Sequence, residues 1–411
     1  MFTRATKGQF SLRMLILVIV VMACGLAYLN WCRSRANREQ AIVKRYGGVA
    51  NYYFQYDEDD NTYDPKVEPP GPWFLRRVWG DLAFARVRKI YIENEALTCV
   101  DDLPELTGLK RVVIRNCKRL ECIDGLANTR LRELYIGGCP LLKNVDSLAN
   151  QKDLERFELF ACHSLQNVDG LRGTNLKRFT LWHCPLVSDI DSLANQKDLE
   201  RFELWGCDSI QNVDGLRGTN LKRFTLRKCP LVSDIDSLAN QKDLKYFMLF
   251  GCHSLQNVDG LRGTNLESFN LGNCPLVSDI DSLANQKYLE YCQLLECPGL
   301  ENVDGLNEGV WPLLNVKEVH LIGTSNLQTL EGLDEASELE NLVLSRCRSL
   351  TSLKGLENSK ADAVSIYRCA ELSDISALDS MVNLKHVELW HCPNVDLGEL
   401  AALQNKLQKR P

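Results

Sequence analysis

The chain has 411 residues, of which 45% are hydrophobic and 25% are charged, and its formal net charge is −6. These values exclude a collagen-like, an intrinsically disordered and a fully membrane-embedded protein. The 48 lysines and arginines against 54 aspartates and glutamates also lack the basic surplus that is typical of a nucleic-acid-binding protein.

Residues 14–32 form a run of 19 residues without a charge. As a helix this run is roughly 28 Å long, close to the ~30 Å hydrocarbon thickness of a bilayer. Tyr28 and Trp31 lie near its end, where aromatic side chains favour the membrane interface. We therefore predict a transmembrane helix over 14–32. A cleaved signal peptide, or a lipoprotein with its acyl chain on Cys24, remains as an alternative.

The basic residues on either side of this run favour a cytoplasmic C-terminal side. Three precede it within a basic flank of residues 1–13, and five follow it: Arg4, Lys7 and Arg13, then Arg33, Arg35, Arg38, Lys44 and Arg45. Because lysine and arginine accumulate on the cytoplasmic side of a span, we predict a single-pass protein of the cell membrane whose larger domain is cytoplasmic.

A juxtamembrane region follows over residues 33–85. Its basic first part, up to residue 46, predicts a helix that either lies against anionic headgroups or forms a solvated stalk. A strand or small hairpin with an acidic turn comes next, and the stiff segment 69–72 closes it.

The acidic turn resembles a calcium-binding loop only in part. Four of its residues have the ligand spacing of an EF-hand loop: Asp57, Asp59, Asn61 and Glu68. Thr62, however, stands where the sharp turn of such a loop needs glycine. We expect no metal there.

From about residue 86 the sequence repeats itself. Cys139, Cys184, Cys229 and Cys274 are each 45 residues apart, and a second cysteine series interleaves with them, so that one unit has 22 or 23 residues. Each unit reads L-x-x-(F/L)-x-L-x-x-C-x-x-(L/I)-x-x-(I/V)-D-x-L. Residues alternate faces in the strand-like part, so stacked units would bury one continuous core behind a parallel sheet.

This pattern resembles the leucine-rich-repeat family, above all its internalin-like 22-residue class, with cysteine in the position of the asparagine ladder. The resemblance covers residues 86–400, about fourteen units, and leaves 401–411 as a C-terminal tail or cap; about five extra residues near Asn307–Pro312 interrupt it once. It implies an α/β-type repeat solenoid, a horseshoe with a concave parallel β-sheet and a convex side of loops and 3-10 turns.

The order of segments carries a second resemblance. The stretches QFSLRMLILVIVV, IVKRYGGVANYYFQYDEDDN and EPPGPWFLRRVWGD, followed by repeats, are similar to those of a bacterial family of single-span, membrane-anchored leucine-rich-repeat proteins. This resemblance implies an uncleaved anchor and no activity.

Most of the cysteines belong to the repeat. Twelve of the 17 occupy the ladder position: residues 117, 139, 162, 184, 207, 229, 252, 274, 297, 347, 369 and 392. We predict a ladder of buried, reduced thiols rather than disulfides, and no zinc site with the neighbouring His163, His183, His253 and His391. Reduced thiols favour a cytosolic domain. The recurrent aspartates after Val or Ile are expected to bond turn N–H groups.

We find no phosphate-binding loop, zinc-protease motif or nucleophile elbow, and we predict a non-enzymatic protein without cofactor or metal. The outward strand positions instead carry arginine beside large aromatic residues, as protein interfaces do. The predicted partner-binding residues are Arg156, Glu158, Phe160, Arg178, Trp182, Arg201, Glu203, Trp205, Arg223, Arg227, Tyr246 and Phe250.

This surface predicts an interaction scaffold that binds a protein partner. Recognition of an envelope glycan outside the cell and a purely structural spacer remain as alternatives, and the aromatic side chains of copied units could also pack on one another simply to cover the sheet. No nucleic acid is expected, because Glu158 and Glu203 would repel a phosphate backbone.

Overall fold

The computed structural model describes residues 12–52, 55, 64, 66–284, 286–306, 316–334, 336 and 338–409. Asp57, Asp59 and Asn61 of the predicted acidic turn and the interruption predicted near Asn307–Pro312 lie outside these residues, whereas Glu68 is described. The described helices are α1 Leu12–Arg45, α2 Trp73–Trp79, α3 Ala377–Ser380 and α4 Leu397–Leu407.

The described strands form one sheet whose order follows the chain. They are β1 Val49–Tyr52, β2 Val87–Ile92, β3 Arg111–Arg115, β4 Glu133–Gly137, β5 Arg156–Phe160, β6 Arg178–Trp182, β7 Arg201–Trp205, β8 Arg223–Arg227, β9 Tyr246–Phe250, β10 Ser268–Gly272, β11 Tyr291–Leu295, β12 Glu318–Ile322, β13 Asn341–Ser345, β14 Ala363–Tyr367 and β15 His386–Trp390.

Strands β2 to β15 pair in parallel, and β1 alone pairs antiparallel, on the free edge of β2. Between successive strands the chain returns through 3-10 turns such as Asp191–Leu193 and Asp214–Leu216. A 22- or 23-residue unit has no room for a full return helix. The predicted solenoid, with its parallel sheet and 3-10 turns, is confirmed.

The strand sequence explains which side chains are buried. In β7, Phe202 and Leu204 are fully buried, whereas Arg201, Glu203 and Trp205 face the other side of the sheet. The next residue, Gly206, has a φ of 63°, and the equivalent His183 has 51°. This left-handed conformation costs a residue other than glycine about 1 kcal/mol. It bends the chain so that the following cysteine enters the core.

The twelve ladder cysteines are free thiols, and all except the last one, Cys392, are buried. The Cys207 thiol lies 3.7 Å from the Leu181 carbonyl and 3.8 Å from the Trp205 carbonyl, within reach as a weak donor. Burial raises the pKa of Cys274 to about 12 and that of Cys297 to about 11. The thiols of Cys274 and Cys297 therefore stay neutral near pH 7.

A column of buried phenylalanines lies behind the middle of the sheet. Its members are Phe157, Phe179, Phe202, Phe224, Phe247 and Phe269, each at most 1% exposed. Neighbouring rings lie 5.4 to 6.2 Å apart, and those from Phe202 onward are nearly parallel. Burial of each ring contributes about 1.5–3 kcal/mol.

The turn aspartates have a different role from the predicted one. The polar residue two positions earlier accepts the turn hydrogen bond: Asn212 Oδ1 accepts from the Asp214 N–H at 3.0 Å, and Asn257 Oδ1 does so from Asp259 at the same distance. The Asp214 carboxylate points outward and pairs with Arg217 at 3.4 Å. A short side chain two residues before the turn aspartate reaches the N–H group of that aspartate more easily than the carboxylate of the aspartate itself does.

In the first two units this capping position holds Cys99 and Cys122, which form a disulfide with a Cα–Cα distance of 5.2 Å. This bond was not predicted from the sequence, where only the twelve ladder cysteines follow the repeat pattern. The available signal was the 23-residue separation, which places two equivalent positions side by side. The two thiols lie close to Asp101 as a possible metal-binding group, but their bond to each other removes them as ligands.

Helix α1 continues without a break from the predicted span into the juxtamembrane region, and its last turns pack on the start of the solenoid. The buried residues are Cys32, Ala36, Glu39, Ile42 and, just after the helix, Tyr46. The sequence analysis considered a headgroup-bound helix or a solvated stalk for this segment. The structure instead gives it the role of an N-terminal cap.

Polar contacts hold this cap in place. Arg35 donates hydrogen bonds to the Ala83 carbonyl at 3.1 Å and the Ala85 carbonyl at 2.7 Å. The buried Glu39 carboxylate accepts from the Val87 N–H at 3.1 Å, at the first residue of β2. Burial raises the pKa of Glu39, while the Val87 hydrogen bond and the Arg35 charge oppose this rise. The start of the solenoid is therefore hydrogen-bonded to α1.

At the other end, α4 covers the last units with the buried Leu403. Asp396 caps this helix by accepting from the Gly398 N–H at 2.6 Å, and Lys406 pairs with Asp379 at 3.0 Å. The last strand, β15, has no buried residue, and its Trp390 is 59% exposed.

Candidate binding surface

The register of the sheet aligns the outward residues of neighbouring strands. Arg156 pairs with Arg178, Arg178 with Arg201, and Arg201 with Arg223. Adjacent strands lie about 4.8 Å apart. These four residues therefore form a continuous arginine row across β5–β8.

Counter-charges reach only the start of this row. Arg156 lies 3.8 Å from both Glu133 and Glu158. Within the part of the chain that the structure describes, Arg178 and Arg201 have no carboxylate within ion-pair distance. The central part of the row therefore carries unneutralised positive charge.

The neighbouring arginines also act on the pKa of Arg178. Partial burial lowers the pKa of its guanidinium, and the charges of Arg156 and Arg201 lower it further, while Glu158 and Glu203 act in the opposite direction. An anionic group placed here would relieve repulsion among the arginines.

The row ends against an aromatic ring. The Arg223 guanidinium lies 4.4 Å from the ring centre of Tyr246, which is 39% exposed. This cation–π contact covers one face of the ring, and the residue as a whole is still partly exposed.

An aromatic row, formed by Phe160, Trp182, Trp205 and Phe250, runs at the far ends of the same strands and is broken by Arg227. Trp182 and Trp205 make an edge-to-face pair at 5.6 Å, and the Arg227 guanidinium lies 5.6 Å from the Trp205 ring. Such contacts contribute about 0.5–1.5 kcal/mol each beyond the area they bury.

The two indoles are less exposed than the sequence analysis assumed. Trp182 and Trp205 are both half-buried, and Phe160, at 37%, is the most exposed aromatic residue of the row. Their rings are wider than the strand spacing, so each covers part of the next. The His183 ring also packs against this row. Its centre lies 6.1 Å from the ring centre of Phe160 and 5.8 Å from that of Trp205.

Two donors in this row are buried without a partner. Within the described chain, neither the indole N–H of Trp205 nor Nε of Arg227 donates a hydrogen bond. A buried donor without an acceptor costs about 1–3 kcal/mol. The protein itself does not satisfy all the polar groups of this surface.

Part of the surface, at β2–β4, lies outside the residues predicted from the sequence. A shallow hollow of about 160 Å³ lies there between basic and aromatic side chains. Lys89 lies 4.3 Å from the Tyr91 ring, and Arg115 lies 4.6 Å from the Tyr135 ring. The signal was present, because these residues occupy the same outward positions in degenerate early units.

Beyond β9, in β10 and β12, the outward positions no longer carry arginine beside large aromatic residues. Its outward residues in β10 are Ser268, Asn270 and Gly272, and those in β12 are Glu318, His320 and Ile322. The structure thus places all twelve predicted residues on β5–β9, which continue the basic and aromatic surface that begins at β2.

Comparisons with known proteins complete the description. No protein-family model and no curated protein sequence matches the chain. The crystal structure of an internalin from Listeria monocytogenes matches with a TM-score of 0.52 at 19% identity, over 73% of this chain and 86% of that one. A leucine-rich-repeat protein from Leptospira interrogans gives a TM-score of 0.41 at 15% identity, over 84% of this chain and 92% of that one.

The internalin match shows a shared fold, which agrees with the parallel sheet and the 3-10 turns of the repeats. Among the helices that the structure describes, α1 is long and apolar enough to cross a membrane, a test that a signal sequence would also pass. The chain is therefore a leucine-rich-repeat solenoid with a long apolar helix at its N-terminal end.

Proposed function

We propose that this protein is a membrane-anchored, non-enzymatic scaffold that binds a protein partner through the concave face of β5–β9. The arginine row carries the proposal, because Arg178 and Arg201 lack carboxylate partners within the described chain and share their strands with Trp182 and Trp205 of the aromatic row. Arginine and aromatic residues dominate the energetics of protein interfaces.

The chemistry of the face defines the partner. An acidic segment would neutralise the arginine row, and its apolar or aromatic side chains would pack against Trp182 and Phe160. An acceptor near Trp205 would satisfy the buried indole N–H. Glu158 and Glu203 lie between the rows and disfavour a nucleic-acid backbone.

Anchoring rests on the composition of α1. Its 18-residue apolar window has a mean hydropathy of 2.5, and none of it is buried inside the protein. An apolar helix surface of this length needs a hydrocarbon environment, and residues 14–32 match the thickness of a bilayer. An anchored scaffold would concentrate its partner at the membrane.

The test uses the full-length protein in detergent micelles as bait, with two double variants. Arg178→Glu with Arg201→Glu, and Trp182→Ala with Trp205→Ala, should each abolish capture of a partner that the wild type retains. Trp390→Ala is the matched control, since Trp390 occupies the equivalent strand position on β15, far from the arginine row. Circular dichroism verifies that each variant is folded. Unchanged capture by both double variants would refute the assignment of the surface.

A second candidate is recognition of an envelope glycan outside the cell, and the Cys99–Cys122 disulfide favours it. Disulfides persist in oxidising compartments, whereas the flanking basic residues favour the cytoplasm. Protease added to intact cells distinguishes the two topologies. Cleavage of the repeats without lysis would support the glycan reading, and protection until lysis would exclude it.

A further inference from the structure

Helix α2 turns its apolar side away from the protein. Trp73, Phe74 and Val78 are 69%, 54% and 59% exposed, although each is a large hydrophobic residue. Phe74 follows Trp73 by one residue and Val78 follows Phe74 by four, so the three side chains lie on one side of the helix. The exposed Arg77 lies on the same side. A soluble surface rarely gathers this much apolar area in one place.

The opposite face of α2 holds the helix against the protein. Leu75, Arg76 and Trp79 are half-buried there. Arg76 is neutralised by Glu68 at 2.8 Å, and the Trp79 indole N–H donates to Asn30 Oδ1 at 3.2 Å. The exposed apolar face is thus not the result of a loosely attached helix.

The hydrogen bond between Trp79 and Asn30 defines the position of α2 along the axis of α1. Asn30 lies two residues before the end of the uncharged run, between Tyr28 and the cap formed by the last turns of α1. Tyr28 and Trp31 stack there at 6.0 Å, and the Arg35 guanidinium lies 5.5 Å from the Trp31 ring. Aromatic rings followed by arginine mark the interfacial level of a transmembrane helix.

Further contacts keep α2 at this level. It packs on the 3-10 turn Asp81–Phe84, whose Ala83 carbonyl accepts a hydrogen bond from Arg35. Both α1 and the turn just before the first repeat therefore position α2.

We propose that α2 is an interfacial anchor, whose Trp73, Phe74 and Val78 enter the boundary between headgroups and acyl chains of the bilayer that α1 crosses. Arg77 lies on the same face and meets lipid phosphates. The inference rests on the membrane anchor of the proposed function. With two attachment points, the solenoid has a defined orientation on the membrane instead of rotating about one helix.

A bilayer explains this face better than a second protein does. The opposite face of α2 contacts Asn30 near the end of the uncharged run, so α2 lies at the level where a membrane around α1 would end, with its apolar face turned away from the protein. Tryptophan favours this interfacial region because its ring is apolar and its N–H is polar.

The test measures tryptophan fluorescence of the full-length protein in vesicles of phosphatidylcholine and phosphatidylglycerol. The acyl chains of one vesicle set carry bromine near their glycerol end, and bromine quenches nearby tryptophans. Each variant changes one emitter to phenylalanine: Trp31→Phe, Trp73→Phe or Trp390→Phe. Phenylalanine preserves the apolar character of each position.

The sign of the change decides the outcome. Removing a quenched emitter lowers the quenched fraction of the emission, and removing an unquenched one raises it. We expect Trp31→Phe and Trp73→Phe to lower this fraction and Trp390→Phe to raise it. If Trp73→Phe raises it while Trp31→Phe lowers it, α2 lies outside the bilayer and faces a protein or water, which overturns the inference but not the anchor. If Trp31→Phe also fails to lower it, the membrane anchor itself is refuted, and the inference with it.

Discussion

The buried phenylalanine column and the aromatic row lie on opposite faces of the same strands. Phe179, Phe202 and Phe224 are completely buried and form part of an unbroken stack, whereas Trp182 and Trp205 are half-buried and their row is interrupted by Arg227. Duplication of the units copied both the phenylalanine column and the aromatic row. Only the inner one is required for the units to stack.

The difference shows which aromatic residues the fold needs. Positions in line with Trp182 and Trp205 hold Gly137, Arg227 and Gly272 elsewhere, and the sheet continues through all of them in register. The fold therefore tolerates small or charged residues in the outer column. The aromatic side chains there can be selected by a partner, whereas packing alone explains the inner ones.

The largest expected effect on the inner side is a loss of stability at alkaline pH. Burial raises the pKa of Cys292 and Cys274 to about 12 and that of Cys297 to about 11, whereas an unfolded thiol titrates near 8.5. Above about pH 9 the unfolded chain loses protons that the folded chain keeps, so each such thiol costs about 1.4 kcal/mol of stability per pH unit.

This loss should be visible in urea unfolding followed by circular dichroism between about pH 7 and pH 10.5. The midpoint should stay nearly constant up to about pH 8 and then fall. Cys292→Val is the control, because this substitution removes one titrating thiol. Valine suits the position, since the paired residue on the next strand is the buried Val319. A midpoint that stays constant up to pH 10 would contradict the prediction.

Next in size is the truncation of one inner ring. Phe202→Ala should lower the free energy of unfolding by about 3–5 kcal/mol, because it opens a cavity inside a stack that cannot close around it. Phe202→Leu, which keeps most of the volume, should cost less. If Phe202→Ala is no more destabilising than Trp205→Ala, the distinction between the two columns fails.

An outer indole should matter less for stability. Trp182→Ala removes edge-to-face contacts with Phe160 and Trp205 and should cost about 1–3 kcal/mol, at about 0.5–1.5 kcal/mol for each contact. The same urea titration measures this cost beside that of Phe202→Ala. A cost of several kcal/mol would mean that the row is primarily structural, and the proposed surface would then lose its main support.

The smallest effect belongs to the exposed ion pairs that link neighbouring units. Lys222 and Glu200 are 2.6 Å apart, but both side chains are about half exposed, so solvent screens the pair. Lys222→Ala should cost at most about 0.5 kcal/mol. A double-mutant cycle with Glu200→Ala measures the coupling, and a value above about 1 kcal/mol would contradict this expectation.

The site was predictable where the repeat is regular and less so elsewhere. The positions of Arg178 and Trp182 on the outward face follow from strict alternation along a strand, and the spacing of units places Arg201 and Trp205 beside them. Lys89 and Arg115 follow the same rule but lie in degenerate units, where the alignment of positions is harder to recognise. The contact of His183 with the aromatic row depends on a left-handed turn that the sequence pattern does not indicate.

The sequence by itself determined the unit length, the alternation within each strand, the inward ladder of cysteines and the apolar run near the N-terminus. These are local, repeated features, and stacking of equal units turns them directly into a solenoid. The tertiary structure alone decided how α1 caps the first repeat, how α2 lies beside Asn30, and how Cys99 meets Cys122. Each of these contacts joins segments at the irregular end of the chain, where no period relates one residue to its neighbour in space.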